Sequence, residues 1–293
     1  MDMESREVIA FRLPFSLLSV SGEDHVSFLH NILSQDIAGM QSGDWREAAL
    51  LSATSHVLGY MTAIKTDHAI LLLTIEKQAE ILTQKLSRFI IAEDVRIKDV
   101  SGEYQLFEVW GPQKENFLKK LSSQTPIDNQ NIFKGGRFLL PASENLAGET
   151  PLGLASSREM LRIENGMLAF GKDFDETIML SETRLEKIAA SETKGCYPGQ
   201  EVVAKIETYK RLNRSFVRLS FSSEPAAQPD EGAIIFDEAG REEIGRLTSR
   251  VYSPFLKKTV GLGWLKRGFF EQPIKVTVKS KSTVTGLTSL FKN

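Results

Sequence analysis

Lys194-Gly195-Cys196-Tyr197-Pro198-Gly199-Gln200-Glu201 holds the single cysteine of a 293-residue chain, set between a cation and a turn dipeptide. Pro198-Gly199 fits the two central positions of a type II turn. Proline presets φ near about −65° and glycine accepts the positive φ that follows. A turn of this kind belongs at the surface, so the thiol beside it is expected to be reachable. If the residues before the turn are extended, side chains two apart share a face, which puts Lys194 beside Cys196. An ammonium there favours the thiolate, while Glu192 and Glu201 push the other way. The competing reading is a small buried hydrophobe.

The octapeptide resembles the Lys-Gly-Cys-Tyr-x-Gly-Gln-Glu signature of the YgfZ family. These are folate-binding relatives of the glycine cleavage T-protein (aminomethyltransferase) that act in iron–sulfur protein maturation. Every specified position matches, and the unspecified one, usually small or β-branched in that family, is Pro198 here. The resemblance implies an α+β, T-protein-like folate-binding fold of two lobes with a small C-terminal β-barrel. It also implies tetrahydrofolate or a derivative as cofactor, and iron–sulfur proteins or their assembly machinery as partners. Cys196 and Lys194 are then the catalytic candidates, and any link to tRNA modification is indirect, through the iron–sulfur enzymes that perform it.

The length allows two or three domains, or one large domain with an appendage, and the composition agrees with a soluble globular protein: 41% hydrophobic, 25% charged, net charge −2. The balanced charge gives no nucleic-acid footprint. One cysteine cannot form an internal disulfide, which suits a reducing cytosol. Met1-Asp2-Met3-Glu4-Ser5 is acidic and precedes no apolar core, so no signal peptide is expected. No apolar run approaches the ~20 residues a membrane span needs. The expectation is a cytoplasmic monomer.

Outward from the loop, the N-terminal two-thirds alternates longer elements. Ser21 to Leu33 reads as a helix capped by Ser21, with Val26, Leu29, Ile32 and Leu33 at helical spacing. Ala69 to Ile75 is a continuous apolar run expected as a buried strand. Ala79, Leu82, Leu86, Phe89 and Ile90 mark one helical face. Strands follow at Val95 to Val100 and Gln105 to Trp110, then a short helix over Gln113 to Leu121. This order predicts an α+β sandwich with helices on one face of the sheet. Beyond Asn213 the pattern changes to short strands: Ser215 to Phe221, Ala233 to Phe236, Glu243 to Ser249, Val260 to Leu265 and Pro273 to Val278. A loop at Glu224 to Gly232 and a turn at Glu238-Ala239-Gly240 separate them, which reads as a small barrel. The expected division is a folate-binding domain at 1–208, a barrel at 209–280 and a tail at 281–293, with a late apolar patch at Leu290-Phe291.

Weaker resemblances run in the same order as the family's. Phe28-Leu29 through Gln35-Asp36 resemble its N-terminal helix and turn. Gly245-Arg246-Leu247-Thr248-Ser249 and Ser253-Pro254 are similar to the Gly-x-x-Thr-Ser…Ser-Pro pattern of the C-terminal barrel. Arg158 to Gly166, with Ser157 as a candidate N-cap and Gly166 as the terminating residue, resembles a segment whose glutamate contacts the pterin ring. That role falls on Glu164, with Arg162 beside it. A single carboxylate can accept from a pterin amino group and ring N–H together. The alternative leaves Glu164 and Arg162 as exposed helix charges, with Glu159 and Arg162 paired at i,i+3. Lys205, Lys210, Arg211 and Arg214 are candidates for a glutamyl tail. Tyr197 and Tyr209 are candidates for stacking, and Gln200 completes the cofactor-binding set.

Aminomethyl transfer in the T-protein uses a strand aspartate shortly after a glycine. The matching stretch here, Gly59-Tyr60-Met61-Thr62-Ala63-Ile64, has no carboxylate, which argues against that chemistry. The four histidines, His25, His30, His56 and His68, share no metal-ligand spacing with Cys196. A lone cysteine is short of an iron–sulfur ligand set, and no phosphate loop is present. Sequence therefore leaves three readings open: an iron–sulfur accessory protein, a one-carbon transferase or demethylase, and a non-catalytic folate-binding scaffold.

Overall fold

The computed structural model describes residues 8–121, 135–146, 151–221, 229–271, 275–278 and 287–288. The N-terminal acidic stretch, most of the loop from Glu224, the start of the run at Pro273, and Leu290-Phe291 lie outside the described residues. The chain forms two compact units, 1–155 with 185–200 and 156–184 with 201–293.

The first unit contains β1 (Ile9–Leu13), β2 (Ser16–Ser21), α1 (His25–Ile32), β3 (Trp45–Leu51), β4 (Val57–Lys65) and β5 (Ile70–Thr74). It continues through α2 (Ala79–Ser87), β6 (Arg96–Asp99), β7 (Tyr104–Trp110), α3 (Lys114–Lys119) and β8 (Gly136–Pro141). Two antiparallel sheets result, ordered β3-β4-β5-β2-β6 and β1-β7-β8. β5 shows why they stack. Ile70 and Leu72 join a core with Phe28, Leu29 and Ile32 of α1 and Leu82 and Leu86 of α2. Leu71 and Leu73 turn the opposite way, onto Leu106 and Leu139 of the second sheet. A strand buried on both faces favours apolar residues on successive positions, as Ile70 to Leu73 display, and the buried Thr74 that ends it donates its hydroxyl to the Tyr60 carbonyl at 2.9 Å. Each of these apolar side chains contributes about 1.5–3 kcal/mol by burial.

Two expectations are corrected here. The helices do not share one sheet face: α3 sets Leu118 against Phe138 and Leu140 of the second sheet. The cause is the 3-10 turn at Ser101–Glu103, which separates β6 in one sheet from β7 in the other. Ser21 is the last residue of β2, and α1 begins at His25 with Asp24 at its N-cap position. The Asp24 carboxylate instead accepts the Asp94 backbone N–H at 2.8 Å, tying the helix start to the segment before β6.

The second unit contains α4 (Ala155–Glu164), α5 (Leu180–Thr183), β9 (Arg214–Phe221), β10 (Ile234–Phe236), β11 (Glu243–Ser253), β12 (Lys258–Lys266), β13 (Thr277–Val278) and β14 (Leu287–Thr288). The short α6 (Glu186–Ala189) belongs to the first unit, and α7 (Gln200–Tyr209) begins where the chain passes into the second. The sheet is antiparallel, ordered β13-β10-β11-β12-β9-β14, and barrel-like around Val217, Leu219, Phe221, Ile235, Leu247 and Leu265. β14 pairs with β9 from inside the segment read as a tail. Ser157 lies within α4 and caps nothing, because the helix starts earlier, whereas Gly166 with φ 73° adopts the left-handed conformation expected of a terminating glycine.

Candidate functional site

In the cysteine loop, Gly199 has φ 79° and the Gln200 N–H donates to the Tyr197 carbonyl at 3.2 Å, closing the turn. A Cβ on Gly199 would stand 2.5 Å from the Ser52 carbonyl oxygen and 3.0 Å from the Ser55 Cα. Glycine is required there for close backbone approach as well as for φ. The loop's other end is tied by the Ser191 N–H to the Ser34 carbonyl at 2.9 Å.

Cys196 is exposed and free, which removes the buried-hydrophobe reading. Lys194 does not share its face. It is buried, and its ammonium donates to the carbonyls of His30, Leu33 (2.5 Å) and Gln35 (3.5 Å) at the end of α1. The last carbonyls of a helix have no internal partner and favour a cation, so the lysine turns inward. Burial pushes its pKa down to about 8, against the opposing pull of Asp36. Tyr197 is buried, with that ammonium 5.0 Å from its ring centroid. The Phe28-to-Asp36 resemblance thus has a physical role. Its carbonyls receive Lys194, and the Gln35 amide reaches the Ile188 carbonyl at 2.9 Å.

In the second unit, Arg162 is 2% exposed and spends its guanidinium internally. It forms a fork with Glu159 (2.8 and 2.7 Å), bonds Asp173 at 2.5 Å and the Met167 carbonyl at 2.6 Å, and donates to Ser249 at 2.8 Å. Asp173 also accepts from the hydroxyls of Thr248 and Ser249, both at 2.6 Å. The Thr-Ser pair therefore locks β11 to the segment after α4. Burial raises the Glu159 pKa, but hydrogen bonds and charge from Arg162 and Lys172 outweigh it and bring it down to about 2. Arg162 is a brace, and the exposed-charge reading of it is corrected.

Glu164, at the end of α4, is half-buried, and its Oε1 is buried without a hydrogen-bond partner among the described residues. Its carbonyl accepts from Arg218 at 2.8 Å, which fixes the backbone. Gln200 starts α7. Lys205 is exposed and paired with Glu201 at 2.5 Å. Arg214 is drawn into the unit by Glu182 (3.0 Å) and the Trp264 ring, while Lys210, Arg211 and Tyr209 are exposed.

The strand lacking an acid has one across the ladder. Glu47 on β3 opposes Thr62 on β4 and accepts from its hydroxyl at 2.8 Å. Arg137 donates to the same carboxylate oxygen at 2.8 Å. Burial, then Glu47, raise the pKa of Tyr60 well above its ordinary value. A buried carboxylate oxygen already held by a guanidinium and a hydroxyl is poorly placed to take a proton as a general base. Spacing along β4 could not have shown Glu47, which reaches Thr62 only through strand register.

Two family descriptions match the chain: the GCVT N-terminal domain over 13–138 and the glycine cleavage T-protein C-terminal barrel domain over 214–288. Together they cover most of its length, and the chain is similar to the T-protein in both of these domains. A chloroplastic Arabidopsis thaliana protein described as a transferase is 24% identical, over 86% of this chain and 64% of that protein. This chain thus spans just under two-thirds of that relative. The aminomethyltransferase of Staphylococcus saprophyticus is 23% identical, over 89% of this chain and 79% of its own. Among solved structures, the glycine cleavage system aminomethyltransferase T of Bartonella henselae superposes with a TM-score of 0.83 at 19% identity. That match covers 98% of this chain and 86% of the other, and it shows the fold. No helix among the described residues is long and apolar enough to cross a membrane.

Proposed function

We propose that this chain is a YgfZ-like, cytoplasmic tetrahydrofolate-binding protein that supports iron–sulfur protein maturation or repair, with Cys196 as its reactive group. The observation that carries the folate reading is the buried Oε1 of Glu164, which has no hydrogen-bond partner among the described residues. An unpaired buried acceptor costs about 1–3 kcal/mol, so the position calls for a donor from outside the chain. The adjacent amino group and ring N–H of a pterin meet that demand. Glu164 would accept from the ring, while Arg218 and the Arg162 brace hold its helix in place. When bound, the folate would supply a carrier for one-carbon units. The iron–sulfur role is supported by the octapeptide resemblance together with a free, exposed thiol.

One-carbon transfer is the rival reading, since relatives carry that name. The acid-free β4 stretch and the tethered Glu47 weigh against it. The test is calorimetric titration of the protein with tetrahydrofolate, beside complementation of cells lacking the native protein by wild type and Cys196→Ser. Absence of folate binding, or full complementation by the serine variant, would reject the respective half of the proposal.

A further inference from the structure

The same loop assigns its lysine a task separate from the sulfur chemistry. We infer that Lys194 is a positioning residue, whose ammonium pins the cysteine loop to the end of α1 rather than activating the thiol by its charge. The inference rests on Cys196 being the reactive group.

The geometry is specific. An ammonium has three N–H donors, and Lys194 has three carbonyl acceptors from His30, Leu33 and Gln35. Lys194 is 8% exposed, whereas Gly195 and Cys196, the next two residues, are exposed. The charge therefore points into the first unit while the sulfur faces solvent. Its ionisable neighbours lie on the helix side: Asp36, which favours the ammonium, and His30, whose own pKa is lowered by burial and then by Lys194.

Three attachments frame the exposed span. Ser191 is held by Ser34, Lys194 by the end of α1, and Gly199 by close approach to Ser52 and Ser55. Between the last two, Gly195 has open space where a Cβ would project. Cys196 is thus presented on a short bridge between two fixed points. Thiolate activation would instead place the cation against the sulfur, on the same side of the strand. A long aliphatic stem ending in three donors suits the pinning task, because it crosses a buried layer before reaching the helix end.

The test compares the full chain with its Lys194→Met and Lys194→Arg variants. Amide hydrogen exchange across 191–199 reads the mounting, and iodoacetamide alkylation of Cys196 from pH 6 to 10 reads the thiol's ionisation. Pinning predicts that Lys194→Met speeds exchange across the loop about tenfold and moves the alkylation midpoint by less than about half a pH unit. Lys194→Arg, which keeps charge and donors, should restore exchange to within about threefold. Unchanged exchange in Lys194→Met overturns the inference, as does an upward midpoint shift of more than about half a unit, since that marks an activating charge. If Lys194→Met does not fold, Lys194→Gln, which retains a donor without the charge, is judged by the same two criteria. Neither measurement involves folate or an iron–sulfur enzyme, so failure here is separable from failure of the functional reading.

Discussion

Arg162 and Asp173 form an ion pair at 2.5 Å with side chains 2% and 0% exposed. The pair joins two sets of contacts, because Asp173 also receives Thr248 and Ser249 from β11, and Arg162 also holds Glu159. Removing one partner of a buried pair strands the other charge, which costs about 3–5 kcal/mol. Arg162→Ala is expected to lose that much in urea unfolding. Arg162→Lys should also lose stability, because a point charge cannot reproduce the fork to Glu159. A loss below about 1 kcal/mol in Arg162→Ala would show that the brace is dispensable.

Glu164 offers the opposite test, since its Oε1 has nothing to lose within the described residues. Glu164→Ala should weaken tetrahydrofolate binding by about 1.5–3 kcal/mol, the range for a hydrogen bond to a charged group. The fold should be left as stable as before or slightly more stable. Calorimetry that finds unchanged affinity removes Glu164 from the site.

Elements read well from sequence where local pattern and tertiary demand coincide. β5 was legible because burial on both faces writes itself as an unbroken apolar run. The cysteine turn was legible because Pro198-Gly199 carries its own dihedral preference. The direction of Lys194 was not legible, since alternation along a strand says nothing about helix carbonyls some 160 positions away. The Thr248-Ser249 motif was visible only as a resemblance, and its partner Asp173 lies 76 positions earlier. The i,i+3 pairing of Glu159 and Arg162 was legible only as the alternative to ligand binding, among exposed helix charges. Burial then turned that pair into part of a network.

The pH dependence of stability should report that network. Glu159 titrates near 2 in the folded chain, against an ordinary value of 4.5. A carboxylate depressed by folding stabilises the fold above its unfolded pKa, and that contribution is lost as pH falls from about 4.5 towards 2. Full linkage would be about 3 kcal/mol, and solvent screening of a side chain 32% exposed reduces this to about 2 kcal/mol. The stability advantage of wild type over Glu159→Gln should therefore shrink by about 1 kcal/mol between pH 6 and pH 3, the rest being lost only as pH falls further towards 2. An advantage that stays constant over this range would contradict the assignment.

Gly199→Ala tests the loop's second mount. The substitution combines a φ of 79° with a Cβ placed 2.5 Å from the Ser52 carbonyl. Strain of this kind costs about 1–3 kcal/mol, and here the obstructing atom is backbone and cannot swing aside. Thermal denaturation should show the loss, and hydrogen exchange should localise it to 52–56 and 195–200. A variant as stable as wild type would mean that the loop has another way to seat.

Cys196→Ser should separate function from fold. The side chain is exposed and free, so little packing changes when sulfur becomes oxygen. What is lost is a soft nucleophile and ligand, because a serine hydroxyl does not ionise near neutral pH as a thiol does. Thermal stability should remain within about 0.5 kcal/mol of wild type, as for most surface substitutions. Tetrahydrofolate affinity should also be unchanged, while iron–sulfur enzyme activity in cells lacking the native protein should not recover. Recovery equal to wild type would mean that the sulfur does no chemistry and that the loop serves recognition alone. Loss of folate affinity in the same variant would instead connect Cys196 to ligand binding.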